Sequence, residues 1–320
     1  MDRTTDISRL RGSMVPLVTP FKDGAFDEPT FRDLIEFQIA SGSHGVSVAG
    51  STGEPSALSL EEREHVIETA VRAVDGRVPV IPGTGTNNHD ETVRLTTFAE
   101  RAGADAALVM VPYYNRPSQE GLYQHFVGVA RQTSLPIIIY NIPGRTAVNM
   151  EPETVARVMK AAGNVVGVKE ANKDFEQVTK LFDRCGRDIL VYSGIEALCF
   201  PLLALGGAGY ISATGNVLPS LTARLYDLAA TGRWDEARDL HYEMFPMNEA
   251  LFWETNPGPV KYVLGLMGKI TPELRLPLVL PSPENQRRLR AVAERYHLIP
   301  AAAGVSGDGG ANGANGNGAE

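Results

Sequence analysis

Two polar side chains stand at the ends of apolar runs, where their chemistry would be shielded from water. Lys169 follows the run 165–168, and Tyr140 follows the run 137–139. An ammonium group removed from water loses part of its preference for the charged form, and a neutral amine attacks carbonyl carbons. The resulting imine, once protonated, withdraws electrons and lets the neighbouring carbon become a nucleophile. We therefore expect Schiff-base chemistry at Lys169, with the Tyr140 phenol carrying protons.

Other polar residues could bind the anionic ends of a substrate. The turn 50–54, Gly-Ser-Thr-Gly-Glu, offers backbone N–H groups and the hydroxyls of Ser51 and Thr52 ahead of a helical stretch, which suits a carboxylate. Arg145, in the segment 141–146, could hold a second carboxylate through two parallel hydrogen bonds. Tyr114 belongs to the polar segment 113–115 that follows another apolar run.

Each of these residues also has an ordinary structural explanation. Lys169 could extend its ammonium group to solvent and pair with Glu170, and Tyr140 could pack its ring against a helix. The turn 50–54 could simply cap a helix, and a lone arginine on a loop is usually solvated. Residue types and positions alone leave both explanations open.

Several other chemistries lack the spacing that they need. No HxxxH or HxH pair supports a histidine metal site, and no GxSxG turn supports a serine hydrolase. The glycines at 83–85 and 206–209 miss the spacings of phosphate-binding loops. The six histidines are therefore interpreted as structural or surface residues; they are His44, His65, His89, His125, His241 and His297.

The elements that would position these residues alternate along the chain. Continuous apolar character is typical of strands buried on both faces of a parallel sheet. Eight such runs occur, with helical stretches between them, and this alternation predicts an α/β fold, a (β/α)₈ TIM barrel over residues 11–217. The rival, a doubly wound nucleotide-binding sheet, needs a GxGxxG turn that the segment 19–24 lacks. The runs are 14–18, 45–49, 78–81, 106–111, 136–140, 165–169, 189–192 and 209–213.

Two further regions follow the predicted barrel. Residues 218–299 predict a C-terminal helical extension that packs on the barrel or helps to build an oligomer. Residues 300–320 are almost only Ala, Gly, Asn and a few acids, with too little apolar surface to offset the entropy of ordering, so we expect a disordered tail.

Composition bounds the partners and the location. Among 320 residues, 30 basic and 38 acidic side chains give a formal net charge of -8, which argues against nucleic acid and anionic membranes. Two cysteines without a CxxC spacing provide no disulfide framework. The polar start lacks a secretory apolar stretch, and no run reaches the length of a membrane span, so we expect a cytoplasmic protein.

In these residues and their surrounding motifs, the chain resembles the dihydrodipicolinate synthase and N-acetylneuraminate lyase family of pyruvate-dependent class I aldolases. The resemblance covers about 11–299, and its motifs are individually weak but specific in this order and spacing. The resemblance favours imine formation at Lys169 over the explanation that its ammonium group simply reaches solvent. The matching segments are 15–21, 50–54, 112–115, 140–146, 167–171 and 256–261.

The resemblance implies a role for each candidate residue. Lys169 would form the imine with pyruvate, the turn with Ser51 and Thr52 would hold the pyruvate carboxylate, and the backbone of Ile211 would line the pocket. Tyr140 would relay protons together with Ser51 and with Tyr114 supplied across a subunit contact. Threonine is usual at position 51, and serine keeps the hydroxyl while freeing its rotamer. No cofactor or metal is expected, and the relatives imply a homotetramer of tight dimers or a homodimer.

Arg145 separates the branches of this family. The resemblance implies that an arginine there binds the carboxylate of aspartate semialdehyde, which would make the reaction a condensation with pyruvate to 4-hydroxy-tetrahydrodipicolinate, a step of lysine biosynthesis. Pro55 and Leu60 depart from the family's lysine-inhibition site, whereas Asn87, Glu91 and Tyr113 match it. Two alternatives stay open: an aldolase or lyase of the same family that acts on another 4-hydroxy-2-oxo acid, and a non-catalytic barrel that binds an oxo acid.

Overall fold

A computed structural model describes residues 6–300. Except for Pro300, the predicted disordered tail 300–320 lies outside the described residues. Within them, no helix is both long and apolar enough to cross a bilayer.

In the described part of the chain, seven strands form one parallel sheet, with a short antiparallel hairpin beside it. The hydrogen-bonded order is β4-β1-β9-β8-β7-β6-β5, so neighbours along the chain are mostly neighbours in the sheet. Such an order requires a helical crossover between successive strands. The strands are β1 (Gly12–Pro16), β2 (Phe21–Lys22), β3 (Ala25–Phe26), β4 (Gly45–Ser47), β5 (Ala107–Met110), β6 (Ile137–Asn141), β7 (Val165–Glu170), β8 (Leu190–Ser193) and β9 (Gly209–Ile211).

The segment 79–84 closes the sheet into a barrel between β4 and β5. Val46 donates its N–H to the Pro79 carbonyl at 3.0 Å, and Leu108 donates to the Pro82 carbonyl at 2.8 Å. The prediction of a continuous strand at 78–81 was wrong, because only isolated bridges form there. Pro79 and Pro82 have no N–H to donate. Only their carbonyls and the amides of the residues between them can therefore form hydrogen bonds with the neighbouring strands. The (β/α)₈ barrel itself is confirmed.

Twelve α-helices connect and cover the strands within residues 6–300. The helix predicted at 60–74 has those bounds: Ser59 and Glu62 form a capping box at its start, and Asp75 ends it in a left-handed conformation. The predicted stretch 194–205 is shorter, a 3-10 helix Glu196–Leu198 followed by α8. The helices are α1 (Glu28–Ala40), α2 (Leu60–Val74), α3 (His89–Ala102), α4 (Gln119–Ala130), α5 (Pro143–Thr146), α6 (Pro152–Ala161), α7 (Phe175–Cys185), α8 (Cys199–Ala204), α9 (Pro219–Ala230), α10 (Trp234–Ala250), α11 (Gly258–Leu266) and α12 (Pro283–Arg295).

Strand side chains divide between two hydrophobic clusters. Ile138, Tyr140 and Ile211 belong to the cluster inside the barrel, whereas Ile137 and Ile139 pack outwards with the helices. Alternating residues of a strand point to opposite faces, so this division fixes which side chains can reach the barrel interior. A third cluster joins the C-terminal helices to the barrel and includes Val18, Leu34, Met247, Val260 and Leu289.

Candidate active site

Lys169 and Tyr140 lie side by side at the carboxyl ends of β7 and β6. They are register partners, and the Lys169 Nζ lies 4.1 Å from the centroid of the Tyr140 ring. Their exposed fractions are 6% and 5%. The structure thus brings an amine and a phenol together in a site that is almost closed to water, at the end of the barrel where this fold places its chemistry.

Gly194, just after β8, leaves room for the lysine side chain. A Cβ built on Gly194 would lie 2.9 Å from the Lys169 Cε and 2.9 Å from the Ala171 Cβ. Real Cβ atoms essentially never approach so closely. The methylene stem of Lys169 therefore runs over the glycine surface, which directs the Nζ towards Tyr140.

Glu170 does not pair with Lys169, because the two neighbouring side chains point to opposite faces of β7. Both Glu170 carboxylate oxygens accept from the Asn141 Nδ2, at 3.0 and 3.1 Å, and Gln177 Nε2 donates to Oε2 at 3.0 Å. Burial raises the pKa of Glu170, while these donors act in the opposite direction. Asn141 and Glu170 are register partners directly beyond Tyr140 and Lys169, so their hydrogen bonds join the two strand ends from outside.

The turn after β4 forms a 3-10 helix, Ser51–Gly53, beside this pair. Ser51 and Tyr140 line the same small cavity, whereas the buried Thr52 accepts a hydrogen bond from the Asn256 Nδ2 at 3.0 Å. Glu54 ends the turn in a left-handed conformation and forms a fully buried ion pair with Lys261. The hydroxyl turn is therefore held by residues that lie about two hundred positions further along the chain.

Arg145 lies on α5 at the mouth of the site. Its side chain is exposed, and Nη2 donates to the Asn256 carbonyl at 3.1 Å. It lines two adjoining cavities, of about 280 and 760 Å³. Ser51 and Tyr113 line the smaller one, and the larger has a mainly apolar wall that includes Ile142, Ile195, Phe245 and Phe252.

Glu196 is a site residue that the sequence reasoning missed. It lines the larger cavity although it is only 7% exposed, and its Oε1 accepts from the Ala213 N–H at 2.8 Å and from the Ser212 Oγ at 3.3 Å. Burial raises its pKa, and the charge of Lys169 acts in the opposite direction. These bonds fix the turn after Ile211, the last residue of β9, which is buried against the barrel interior. The sequence signal that could have identified Glu196 is its position just after a buried strand.

Within one chain, Tyr114 does not lie with the other candidate site residues. Its side chain is 88% exposed, and its φ of 73° holds the backbone in the left-handed region that disfavours a residue of this size. Lys169, Tyr140, Ser51, Thr52, Ile211 and Arg145 gather at one end of the barrel, whereas Tyr114 faces outwards. In residues 6–300, no group of three His, Cys, Asp or Glu side chains could hold a metal ion.

A buried lysine over a phenol ring, beside a hydroxyl turn and an arginine at the mouth of a (β/α)₈ barrel, is the arrangement of a lysine-dependent aldolase. Comparisons narrow this class: residues 9–296 match the model of the dihydrodipicolinate synthetase family. The chain belongs to this family, which confirms the resemblance seen in its motifs.

Relatives match over nearly their whole length. The 4-hydroxy-tetrahydrodipicolinate synthase of Syntrophobacter fumaroxidans is 53% identical over 90% of this chain and 99% of its own. The crystal structure of dihydrodipicolinate synthase from Aquifex aeolicus is 43% identical, with a TM-score of 0.89 over 90% of this chain and 98% of that one. A monomeric dihydrodipicolinate synthase variant is 41% identical, with a TM-score of 0.89 over 92% of this chain and 99% of that one.

Proposed function

We propose that this protein is a 4-hydroxy-tetrahydrodipicolinate synthase, which condenses pyruvate with aspartate semialdehyde. The observation that carries the proposal is the buried Lys169 Nζ, 4.1 Å from the centre of the Tyr140 ring, in a chain half identical to synthases of that name. Arg145 at the mouth supplies a guanidinium for an acidic second substrate.

The first stage makes a nucleophile from pyruvate. The Lys169 amine attacks the keto carbon of pyruvate, the carbinolamine loses water, and a protonated imine remains. Loss of a proton from the methyl group then gives the enamine. Tyr140 is placed to carry protons to and from these atoms, and the Ser51–Thr52 turn holds the carboxylate. The imine is itself the electron sink, so the proposal needs neither cofactor nor metal.

The second stage joins the two substrates. The enamine carbon attacks the aldehyde carbon of aspartate semialdehyde, one C–C bond forms, and the alkoxide takes a proton. The amino group of the new chain then attacks the imine carbon and displaces the Lys169 amine, which closes the ring. The sum consumes one molecule of each substrate and releases one water. Arg145 would bind the semialdehyde carboxylate during this stage.

Tyr114 is the residue that would act in the site of a second copy of the chain. We propose that a second copy covers this tyrosine and receives its phenol next to Tyr140 and Ser51, in a homodimer or a homotetramer built from such dimers. The 88% exposure of a tyrosine on a conformationally restrained turn supports this arrangement.

A second candidate is an aldolase for a larger, less polar aldehyde. The cavity of about 760 Å³ lies beside the site, shares Arg145 with the smaller cavity, and has Phe245, Phe252 and Ile142 in its wall. Such an enzyme would share the Lys169 imine and differ only in its second substrate.

Trapping and product formation separate these candidates. Borohydride reduction in the presence of pyruvate should attach the pyruvate-derived group to Lys169, located by peptide mass spectrometry, and the Lys169→Ala variant should show no adduct. Addition of aspartate semialdehyde should yield the cyclic product. Trapping without that product favours the second candidate, and folded protein that is not trapped would indicate a non-catalytic barrel.

A further inference from the structure

Asn256 is a buried residue that contacts both groups proposed to bind carboxylates. It lies shortly before α11 and is 5% exposed. Its side chain reaches Thr52 in the hydroxyl turn, and its backbone carbonyl reaches Arg145 on α5. One residue from the C-terminal region therefore stands between the two halves of the substrate site.

The direction of the bond to Thr52 determines what that hydroxyl can do. The Asn256 Nδ2 donates to the Thr52 Oγ1 at 3.0 Å. A hydroxyl has one proton and two lone pairs, so accepting a bond leaves its proton free to be donated. A carboxylate can only accept. Thr52 is thus prepared as a donor to an anion.

The other side-chain atom of Asn256 makes no hydrogen bond to the protein. Its Oδ1 is buried and has no partner among residues 6–300. The donation to Thr52 is therefore the one hydrogen bond that this side chain forms in the part of the chain that the structure describes.

The backbone of Asn256 acts on the second group. Its carbonyl accepts from the Arg145 Nη2 at 3.1 Å, although the arginine side chain is exposed. A guanidinium has five N–H donors in a rigid fork, so one bond to a carbonyl orients the plane and leaves the other donors for a ligand.

We propose that Asn256 is a positioning residue that prepares both carboxylate-binding groups, the Thr52 hydroxyl through its side chain and Arg145 through its backbone. This inference rests on the proposed function, because it takes pyruvate as the anion at Thr52. Since only the side chain changes on substitution, variants at position 256 should weaken pyruvate binding and spare the use of the aldehyde.

The test measures borohydride trapping against pyruvate concentration, together with steady-state kinetics. Asn256→Ala should raise the pyruvate concentration for half-maximal trapping about tenfold, because the Thr52 hydroxyl is no longer fixed as a donor and its hydrogen bond to the charged pyruvate carboxylate is weakened. KM for aspartate semialdehyde should change less than twofold. Asn256→Asp should be worse than the alanine variant, because its carboxylate accepts the hydrogen bond of the Thr52 hydroxyl and repels the pyruvate carboxylate.

A double-mutant cycle distinguishes positioning from general damage. Thr52→Val should weaken pyruvate binding by itself, and Asn256→Ala added to it should change little further, because the group on which Asn256 acts is gone. Thr52→Ser, which keeps the hydroxyl, should bind pyruvate more tightly than Thr52→Val and should still respond to Asn256→Ala. The unchanged KM for the aldehyde reports in each variant that the fold is intact.

Three results would overturn the inference. They are additive losses in the cycle, an aspartate variant that binds pyruvate as well as wild type, and equal losses for both substrates. If wild-type protein is not trapped at all, the proposed function fails and takes this inference with it. If wild type is trapped and the variants bind pyruvate normally, only the role of Asn256 fails.

Discussion

Buried charged side chains at this end of the barrel are stabilised in different ways. Lys261 and Glu54 form an ion pair, Glu170 is surrounded by amide donors, and Glu196 accepts from a backbone N–H and a hydroxyl. Burying a charge is costly unless such partners compensate it. Lys169 has instead a phenol ring under its Nζ, a weaker partner for an ammonium group than a carboxylate would be.

Gly194→Ala should reduce activity and also lower the free energy of unfolding. The new methyl group would lie 2.9 Å from both the Lys169 Cε and the Ala171 Cβ, and the lysine stem can move aside whereas the Ala171 Cβ is fixed to the backbone. Displacing a catalytic group by about an ångström can lower the rate by about 100-fold. Trapping rates with pyruvate would measure the loss. Gly163→Ala is the matched control, because nothing lies within 4 Å of its added Cβ. Equal rates in both variants would contradict this role of Gly194.

Glu170 predicts a pH-dependent difference in stability. Its folded pKa is raised, so its contribution to stability is complete below the unfolded pKa and is lost as pH rises through the folded pKa. The Glu170→Gln variant has no such loss. The free energy of unfolding of the variant minus that of wild type, both measured by urea denaturation, should therefore increase between about pH 4.5 and pH 7. A difference that does not vary with pH would show that the amide donors fully compensate the burial.

At the scale of elements, features that depend on the local sequence were predicted well, and features that depend on long-range contacts were not. The start of α2 follows from a capping box within four residues, and the run that forms β7 is continuous in the chain. The strand at 78–81 failed because proline removes ladder donors even where the run is apolar. Glu196 and Asn256 act on residues 17 and 204 positions away, and no local pattern carries such contacts.

Helices α3 and α4 meet at a pair of histidines that should make them sensitive to acid. The His89 and His125 Nδ1 atoms lie 3.2 Å apart, and burial together with His89 lowers the pKa of His125 to about 4. A base with a lowered folded pKa keeps its stabilising effect above its unfolded pKa near 6.5 and loses it as pH falls towards 4. This loss reaches about 3 kcal/mol at most.

The His125→Asn variant should therefore lose less stability than wild type between pH 6.5 and pH 4. Thermal or urea unfolding across this range would measure the difference. Lys180→Gln serves as a control, because its ion pair with Glu176 is exposed and lies on another helix. Parallel pH profiles for wild type and the His125 variant would mean that the histidine pair is hydrated enough to accept a second proton without cost.

At the scale of the whole molecule, the C-terminal region completes the site instead of merely covering the barrel. Asn256 holds Thr52, Lys261 pairs with Glu54, and Arg275 donates its N–H to Glu54 at 3.2 Å. These contacts join the last third of the chain to a turn near its beginning. The barrel alone provides the lysine and the phenol, while the C-terminal region holds Thr52 and Glu54 of the hydroxyl turn.

Tyr114 gives the sharpest test of assembly, because the proposed relay draws it from another copy. The Lys169→Ala and Tyr114→Phe variants should each be nearly inactive alone. In a mixed dimer, one site combines the intact Lys169 of one chain with the intact Tyr114 of the other, and it should work normally. Random mixing of equal amounts makes half of the dimers mixed, each with one working site, so activity should recover to about a quarter of wild type. Recovery should follow subunit exchange, monitored by native mass spectrometry. If mixed dimers form and activity stays at the level of the separate variants, Tyr114 does not act across a subunit contact, and its exposure on the single chain has another cause.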